Sequence, residues 1–146
     1  MEDMLSGDSS LYSRYLLGRA RHFIDKAREK ELAQFHISPR QATTLFIMYN
    51  LGQKATLAEL ARQTERGINT LSPQMTILEK DGFVKKVRET PKSNRLSYIL
   101  TDKGLKTYEL TNKPKAVKKI MSVLTEDERQ QLISMMKKII SKAEKY

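Results

Sequence analysis

Apolar residues recur with helical spacing through the first third of the chain. Tyr12, Leu16, Ala20, Phe23 and Ala27 follow at intervals of four, four, three and four, which predicts an amphipathic helix from Leu11 to about Ala33. Ser38-Pro39-Arg40-Gln41 is a start signal: Ser38 can cap, Pro39 suits the first helical position, and Gln41 completes a capping box. That second helix should run to about Leu51 and stop at Gly52. Thr56-Leu57-Ala58-Glu59 repeats the capping logic and opens a short third helix ending near Thr64.

After a turn at 65–67, a fourth helix is expected to reach about Asp81, with Ile68, Leu71, Met75 and Leu78 toward the core and Gly82 as its stop. Pro73 is compatible with it if the helix begins near Asn69, because the first four N–H groups have no internal partner. The period then changes. Val84 and Val87 among cations, the turn formers 90–94, and the apolar LSYIL at 96–100 predict a two-stranded hairpin with a basic tip. Thr101-Asp102 caps a fifth helix, broken or ended near 112–114, and Thr125 to Glu128 caps a sixth running through Leu132, Met135, Met136, Ile139 and Ile140. The fold class is therefore mainly α with a small β-hairpin, a winged helix–turn–helix flanked by terminal helices. Apolar stripes on those terminal helices call for a partner, most simply a second copy.

The 146 residues fit a single domain able to bury one core. The longest apolar run, Leu45 to Tyr49, is far too short to span a membrane, and the opening residues lack the basic-then-apolar order of a secretory signal. A cytoplasmic protein without membrane association is expected. With no cysteine there is no disulfide, thiolate site or thiol nucleophile. Two histidines 14 positions apart make no metal constellation, and no hydrolase, nucleotide-loop or dinucleotide motif occurs. No catalytic residue, metal or cofactor is expected, and an enzyme ranks behind every binding function.

The net charge is +10, and residues 84–106 concentrate it, with seven basic against two acidic groups. Such a local stripe suits a polyanion, although a solvated basic face would carry the same charge. In a helix–turn–helix the second helix enters the major groove. Asn69, Thr70, Ser72, Pro73 and Gln74 are the candidate base contacts, and no arginine lies on that face beyond the preceding turn. Lys86, Arg88, Lys92, Ser93, Asn94 and Arg95 would place the wing against a minor groove or its phosphates, with Arg40, Thr56 and Arg66 as further phosphate contacts. Helix, wing and anchors together favour double-stranded DNA as the partner.

The stretch Leu57 to Val84, with LEKDG at 78–82 and LTDKG at 100–104, resembles the DNA-binding core of the multiple-antibiotic-resistance regulator (MarR) family, and the order of flanking helices extends the likeness over nearly the whole chain. The resemblance implies a homodimer on a pseudo-palindromic operator, commonly a repressor released by a small-molecule effector. Family members carry an Asp-x-Arg pair in the wing; a gapless match puts Lys92 and Asn94 there, with Arg95 next to take the reading role. LSP at 71–73 is similar to the peroxide-sensing branch, whose first-helix cysteine is absent from this chain. Arg19 and His22, one helical turn apart, are candidate effector contacts by the same likeness, with an interface or surface role as the alternative.

The expected organisation is one domain, 1–146, in which 36–106 bind DNA while 1–35 and 107–146 dimerise. Two recognition helices would then sit about 34 Å apart in successive major grooves. The rival readings are a winged helix used for protein contact and a sequence-indifferent DNA-coating protein.

Overall fold

Side-chain caps set where several of the helices begin in the computed structural model, which describes residues 7–64 and 66–146. Helix α1 spans Ser9–Leu32 and passes into a 3-10 turn at Ala33–Phe35. Ser38 opens α2 (Pro39–Asn50): its hydroxyl accepts from the Gln41 N–H (3.1 Å) while Gln41 Oε1 accepts from the Ser38 N–H (2.9 Å). The helix closes on Gly52 and Gln53, both in the left-handed region. Bonds from the Gln53 N–H to Met48 O and from the Gly52 N–H to Tyr49 O form a Schellman cap. Thr56 caps α3 (Leu57–Gln63), accepting from the Glu59 N–H at 3.1 Å. Helix α4 spans Ile68–Lys80, α5 Asp102–Thr111, α6 Lys115–Met121 and α7 Glu126–Ala143.

Three expectations need correcting. The hairpin is part of a three-stranded antiparallel sheet, because β1 (Lys54–Thr56) pairs with β3 (Leu96–Leu100) on the edge opposite β2 (Val84–Arg88). Strand β3 is thus central, which accounts for its burial at Ser97, Tyr98 and Leu100. Helix α4 starts at Ile68, so Pro73 lies in its second turn and offers no N–H to the Asn69 carbonyl. Ile68, placed on the core stripe by its spacing, is 49% exposed, since the stripe is anchored by Leu71, Met75 and Leu78 one turn further in. The break expected near 112–114 is present: α5 ends at Thr111 with Asn112 as its C-cap, and α6 begins after Pro114 at its N-cap.

The chain divides into two compact units: Glu29–Lys113, and the described residues up to Arg28 together with Pro114–Tyr146. The core of the first includes Leu32, Leu45, Met48, Ala55, Leu60, Leu71, Met75, Leu78, Phe83, Val84 and Tyr98, drawn from the end of α1, from α2 to α4 and from all three strands. Helix α5 belongs to this unit, with Tyr108 buried and stacked on Tyr49 at 4.2 Å between ring centroids. In the second unit no described residue of α6 or α7 is buried, and Phe23, Ile139 and Ile140 are more than half exposed.

Helix α7 opens on a complete capping box, with Glu128 Oε1 accepting from the Thr125 N–H (2.9 Å) and Thr125 Oγ1 accepting from the Glu128 N–H (3.2 Å). The bond from the Thr125 backbone N–H, and after it the Thr125 side chain, hold the Glu128 carboxyl below its ordinary range; Gln130 first and then Arg129 do the same for Glu126. A lowered folded pKa means that this contribution is present above the unfolded carboxylate range and is lost as pH falls through the folded value. Thr125→Ala should cost about 1 kcal/mol at neutral pH. Glu128→Gln, which keeps an acceptor without titrating, should flatten the acid limb of stability; thermal melts followed by circular dichroism at neutral and acid pH check both.

Candidate nucleic-acid interface

Helix α4 buries one face and offers the other. Leu71, Met75 and Leu78 are 0–1% exposed, while Asn69, Thr70, Pro73, Thr76, Ile77 and Lys80 face solvent and Ser72 and Gln74 are half-buried on the flanks. The Thr76 hydroxyl donates to Ser72 O (3.1 Å), so that group is engaged within its own helix. Gly67 is the N-cap and makes no side-chain cap bond. The expected base contacts Asn69, Thr70, Ser72, Pro73 and Gln74 therefore share the outer side and flanks of a helix whose inner side is fixed in the core.

The wing is organised by Ser93. Its hydroxyl accepts from the Arg95 N–H (3.0 Å), its own N–H donates to Thr90 O (3.0 Å), and its carbonyl accepts from Arg88 Nη1 (3.4 Å). A hydroxyl, not a carboxylate, thus orders the tip. Arg88, Lys92, Asn94 and Arg95 are all exposed around it. Lys86 lies further down β2 with its ammonium 5.7 Å from the Tyr98 ring centroid.

Helix and wing are joined at their roots by the two sequence signatures. LEKDG ends α4 in a Schellman cap, with the Phe83 N–H bonded to Leu78 O and the Gly82 N–H to Glu79 O, and Gly82 takes the left-handed φ of +83°. LTDKG is the other half of the joint. The Thr101 hydroxyl donates to Gly82 O and accepts from the Gly104 N–H, and the Thr101 N–H donates to Phe83 O at 3.1 Å. Lys103 Nζ donates to Asp81 O (2.6 Å) and lies 4.7 Å from the Phe83 ring centroid.

A second tie crosses higher up, where Glu79 of α4 accepts the Lys86 N–H of edge strand β2 at 2.9 Å. Neither this role of Glu79 nor that of Lys103 was foreseen from the sequence; their only signal was membership of the two signatures. Glu79→Ala should remove about 1 kcal/mol of local protection, seen as roughly fivefold faster hydrogen exchange at the Lys86 amide, whereas Glu79→Gln retains an acceptor and most of the protection. Equal exchange in all three proteins would rule out the tie.

Arg66 does not project as an isolated phosphate anchor. It reaches from the helix–helix turn to donate to Gln74 Oε1, and both line a cleft of about 260 Å³ with Ser38, Arg40, Gln41 and Ile77. Arg40 is exposed at the start of α2, whereas the Thr56 hydroxyl already caps α3. In the other unit, Arg19 and His22 are exposed and both pack on Phe23: the guanidinium lies 5.2 Å from its ring centroid and the imidazole 5.3 Å in an edge-on contact. Among the described residues no group of three or more His, Asp or Glu could hold a metal, and no helix is long and apolar enough to cross a membrane.

The helix–turn–helix, its wing and their joint define a winged-helix protein. No protein-family profile and no curated protein matches the chain. Solved structures do match. The organohalide-sensing transcriptional regulator RdhR in its 2,4-dichlorophenol-bound form is 22% identical with a TM-score of 0.82, over 90% of this chain and 79% of that one. AbsC, a MarR family transcriptional regulator from Streptomyces coelicolor, is 19% identical with a TM-score of 0.80, over 95% and 97%. Reduced AbfR bound to DNA is 26% identical with a TM-score of 0.70, over 97% and 96%. The fold is that of the MarR-family transcriptional regulators, as the sequence resemblance implies.

Proposed function

We propose that this protein is a homodimeric, sequence-specific DNA-binding transcriptional regulator of the MarR type, acting in the cytoplasm as a repressor on a pseudo-palindromic operator. The observation that carries this reading is the joint at Gly82, Thr101 and Gly104, which holds a polar helix face and a basic wing on one frame. Likeness to AbfR, a protein solved on DNA, supports it. On this reading α4 supplies base contacts from Asn69, Thr70, Ser72, Pro73 and Gln74. Arg88, Lys92, Ser93, Asn94 and Arg95 engage the adjacent groove, and Lys86, Arg40 and Thr56 lie toward the phosphates.

Residues 36–106 bind DNA, and the segments 1–35 and 107–146 dimerise. The exposed apolar side chains Phe23, Ile139 and Ile140 are what a second copy would cover. A small effector, with Arg19 and His22 among its contacts, would act only through different affinities for DNA-compatible and DNA-incompatible forms. RdhR, solved with a chlorophenol, is a related fold that holds such a molecule. Binding and release, not turnover, are the activity.

The test is a fluorescence-anisotropy titration near physiological salt, comparing duplex from upstream of the protein's own gene, and then a randomised duplex pool, with a scrambled duplex. A preference of about a thousandfold or more is expected for the specific site. Equal affinity for every duplex would replace the regulator with a DNA-coating protein. No binding even at low salt would overturn the DNA reading in favour of protein contact.

A further inference from the structure

The outer face of α4 carries no arginine of its own, yet the structure brings one to it. Arg66, from the turn before the helix, is bonded to Gln74 in the middle of the second turn. Arginine has only donors, so the partner atom must be the amide oxygen, and the amide orientation follows from chemistry. Both side chains are half-buried in the cleft beside α2, which limits how far either can swing. A lone glutamine reads adenine by accepting from N6–H with its oxygen and donating to N7 with its nitrogen. Here the oxygen already carries a guanidinium, and a second donor arriving there meets a cation that is itself all donors. What remains on offer is the Gln74 NH₂ edge beside the guanidinium. That donor-rich pair complements an edge made only of acceptors, and in the major groove guanine presents one through N7 and O6.

We propose that Arg66 and Gln74 form a composite reader that selects guanine over adenine at one position of each half-site, with Arg66 as the residue that sets the specificity of Gln74. The inference rests on the DNA-binding reading above and deepens it. It also replaces two separate roles, Arg66 on a phosphate and Gln74 as an independent base contact, with a single shared one.

The test is enrichment of bound sequences from a randomised duplex pool by the full-length protein and its Arg66→Ala, Gln74→Ala and Gln74→Glu variants. Thermal melts would confirm that each is folded. The diagnostic position is the one whose preference Gln74→Ala erases. The wild-type protein should favour guanine over adenine there by about 5- to 150-fold. Arg66→Ala, which frees the amide oxygen, should turn the preference toward adenine at that position and leave the others unchanged. Gln74→Glu keeps a partner for Arg66 but has no donor, and should lose the guanine preference. Adenine at that position in the wild-type protein would overturn the composite reader. So would an Arg66→Ala profile that keeps every base preference while affinity falls uniformly, because Arg66 would then be a phosphate contact. Failure to enrich any sequence would overturn sequence-specific DNA binding itself, and the reader with it.

Discussion

Gly104→Ala is expected to lower stability by about 3 kcal/mol and the melting temperature by about 6–12 °C. Position 104 lies in the first turn of α5, where alanine would ordinarily gain up to about 1 kcal/mol over glycine. A Cβ built there, however, falls 2.0 Å from Phe83 O and 3.0 Å from Phe83 C. The obstruction is backbone, not the end of a flexible side chain, so a rotamer change cannot relieve it. Moving that carbonyl would break its bond from the Thr101 N–H and shift Phe83 and Val84, both buried at the root of β2. Gly82→Ala should differ in kind. Its Cβ meets only Lys103 Cδ at 3.6 Å, but φ of +83° costs a non-glycine residue about 1–2 kcal/mol. Urea or thermal unfolding ranks the two substitutions. A neutral or stabilising Gly104→Ala would mean that the helix–wing joint is looser than the close approach requires. Gly104→Ala should also weaken DNA binding beyond its effect on folding, because the displaced strand carries the wing.

What could be read in advance was local. The boxes at Ser38 and Thr125 involve residues three apart, and the stops at Gly52 and Gly82 need only one left-handed residue each. The inner face of α4 followed from period alone because Leu71, Met75 and Leu78 lie within two turns. What could not be read depended on distant partners. Strand β1 is three residues long with a single buried side chain, Ala55, and exists because Ile99, Tyr98 and Ser97 lie alongside. Ile68 has helical spacing but precedes the point at which α4 meets the core.

The candidate interface divides in the same way. Its residue types and their grouping on one helix face and one wing were legible from polarity and charge. The ties between groups were not. Arg66 to Gln74 spans eight residues through a turn, Glu79 to Lys86 joins a helix to a strand, and Lys103 reaches Asp81 across 22 positions. Ser93 looked like one more turn former, yet its hydroxyl and both its backbone groups are engaged at the wing tip. Sequence polarity locates groups that could meet DNA; cross-element hydrogen bonds decide which of them point outward and which hold a neighbour in place.

The combined substitution Lys92→Ala with Arg95→Ala should produce the largest loss of DNA affinity, about a thousandfold, at roughly 1 kcal/mol for each of the four contacts a symmetric dimer loses. The two single variants should separate in character. Lys92 is an exposed point charge at the wing tip, so its removal should weaken every duplex alike. Each lost phosphate contact lowers the slope of log K against log salt by about 0.9, and a dimer loses two, so the slope should fall by about 1.8. A fall of only about 0.9 would mean that one wing engages at a time. Arg95 differs because its backbone is pinned by the Ser93 hydroxyl, which fixes where the guanidinium begins. A positioned arginine gains most from a narrow, A·T-rich minor groove, where the negative potential is strongest. Arg95→Ala should therefore cost more on duplexes with A·T tracts flanking the site than on G·C-flanked ones, and Ser93→Ala should reproduce part of that selectivity loss without changing the charge. Titrations at three or more salt concentrations on both kinds of duplex check all of this. An unchanged slope in the double variant would remove the wing from the interface and leave α4 to bind alone.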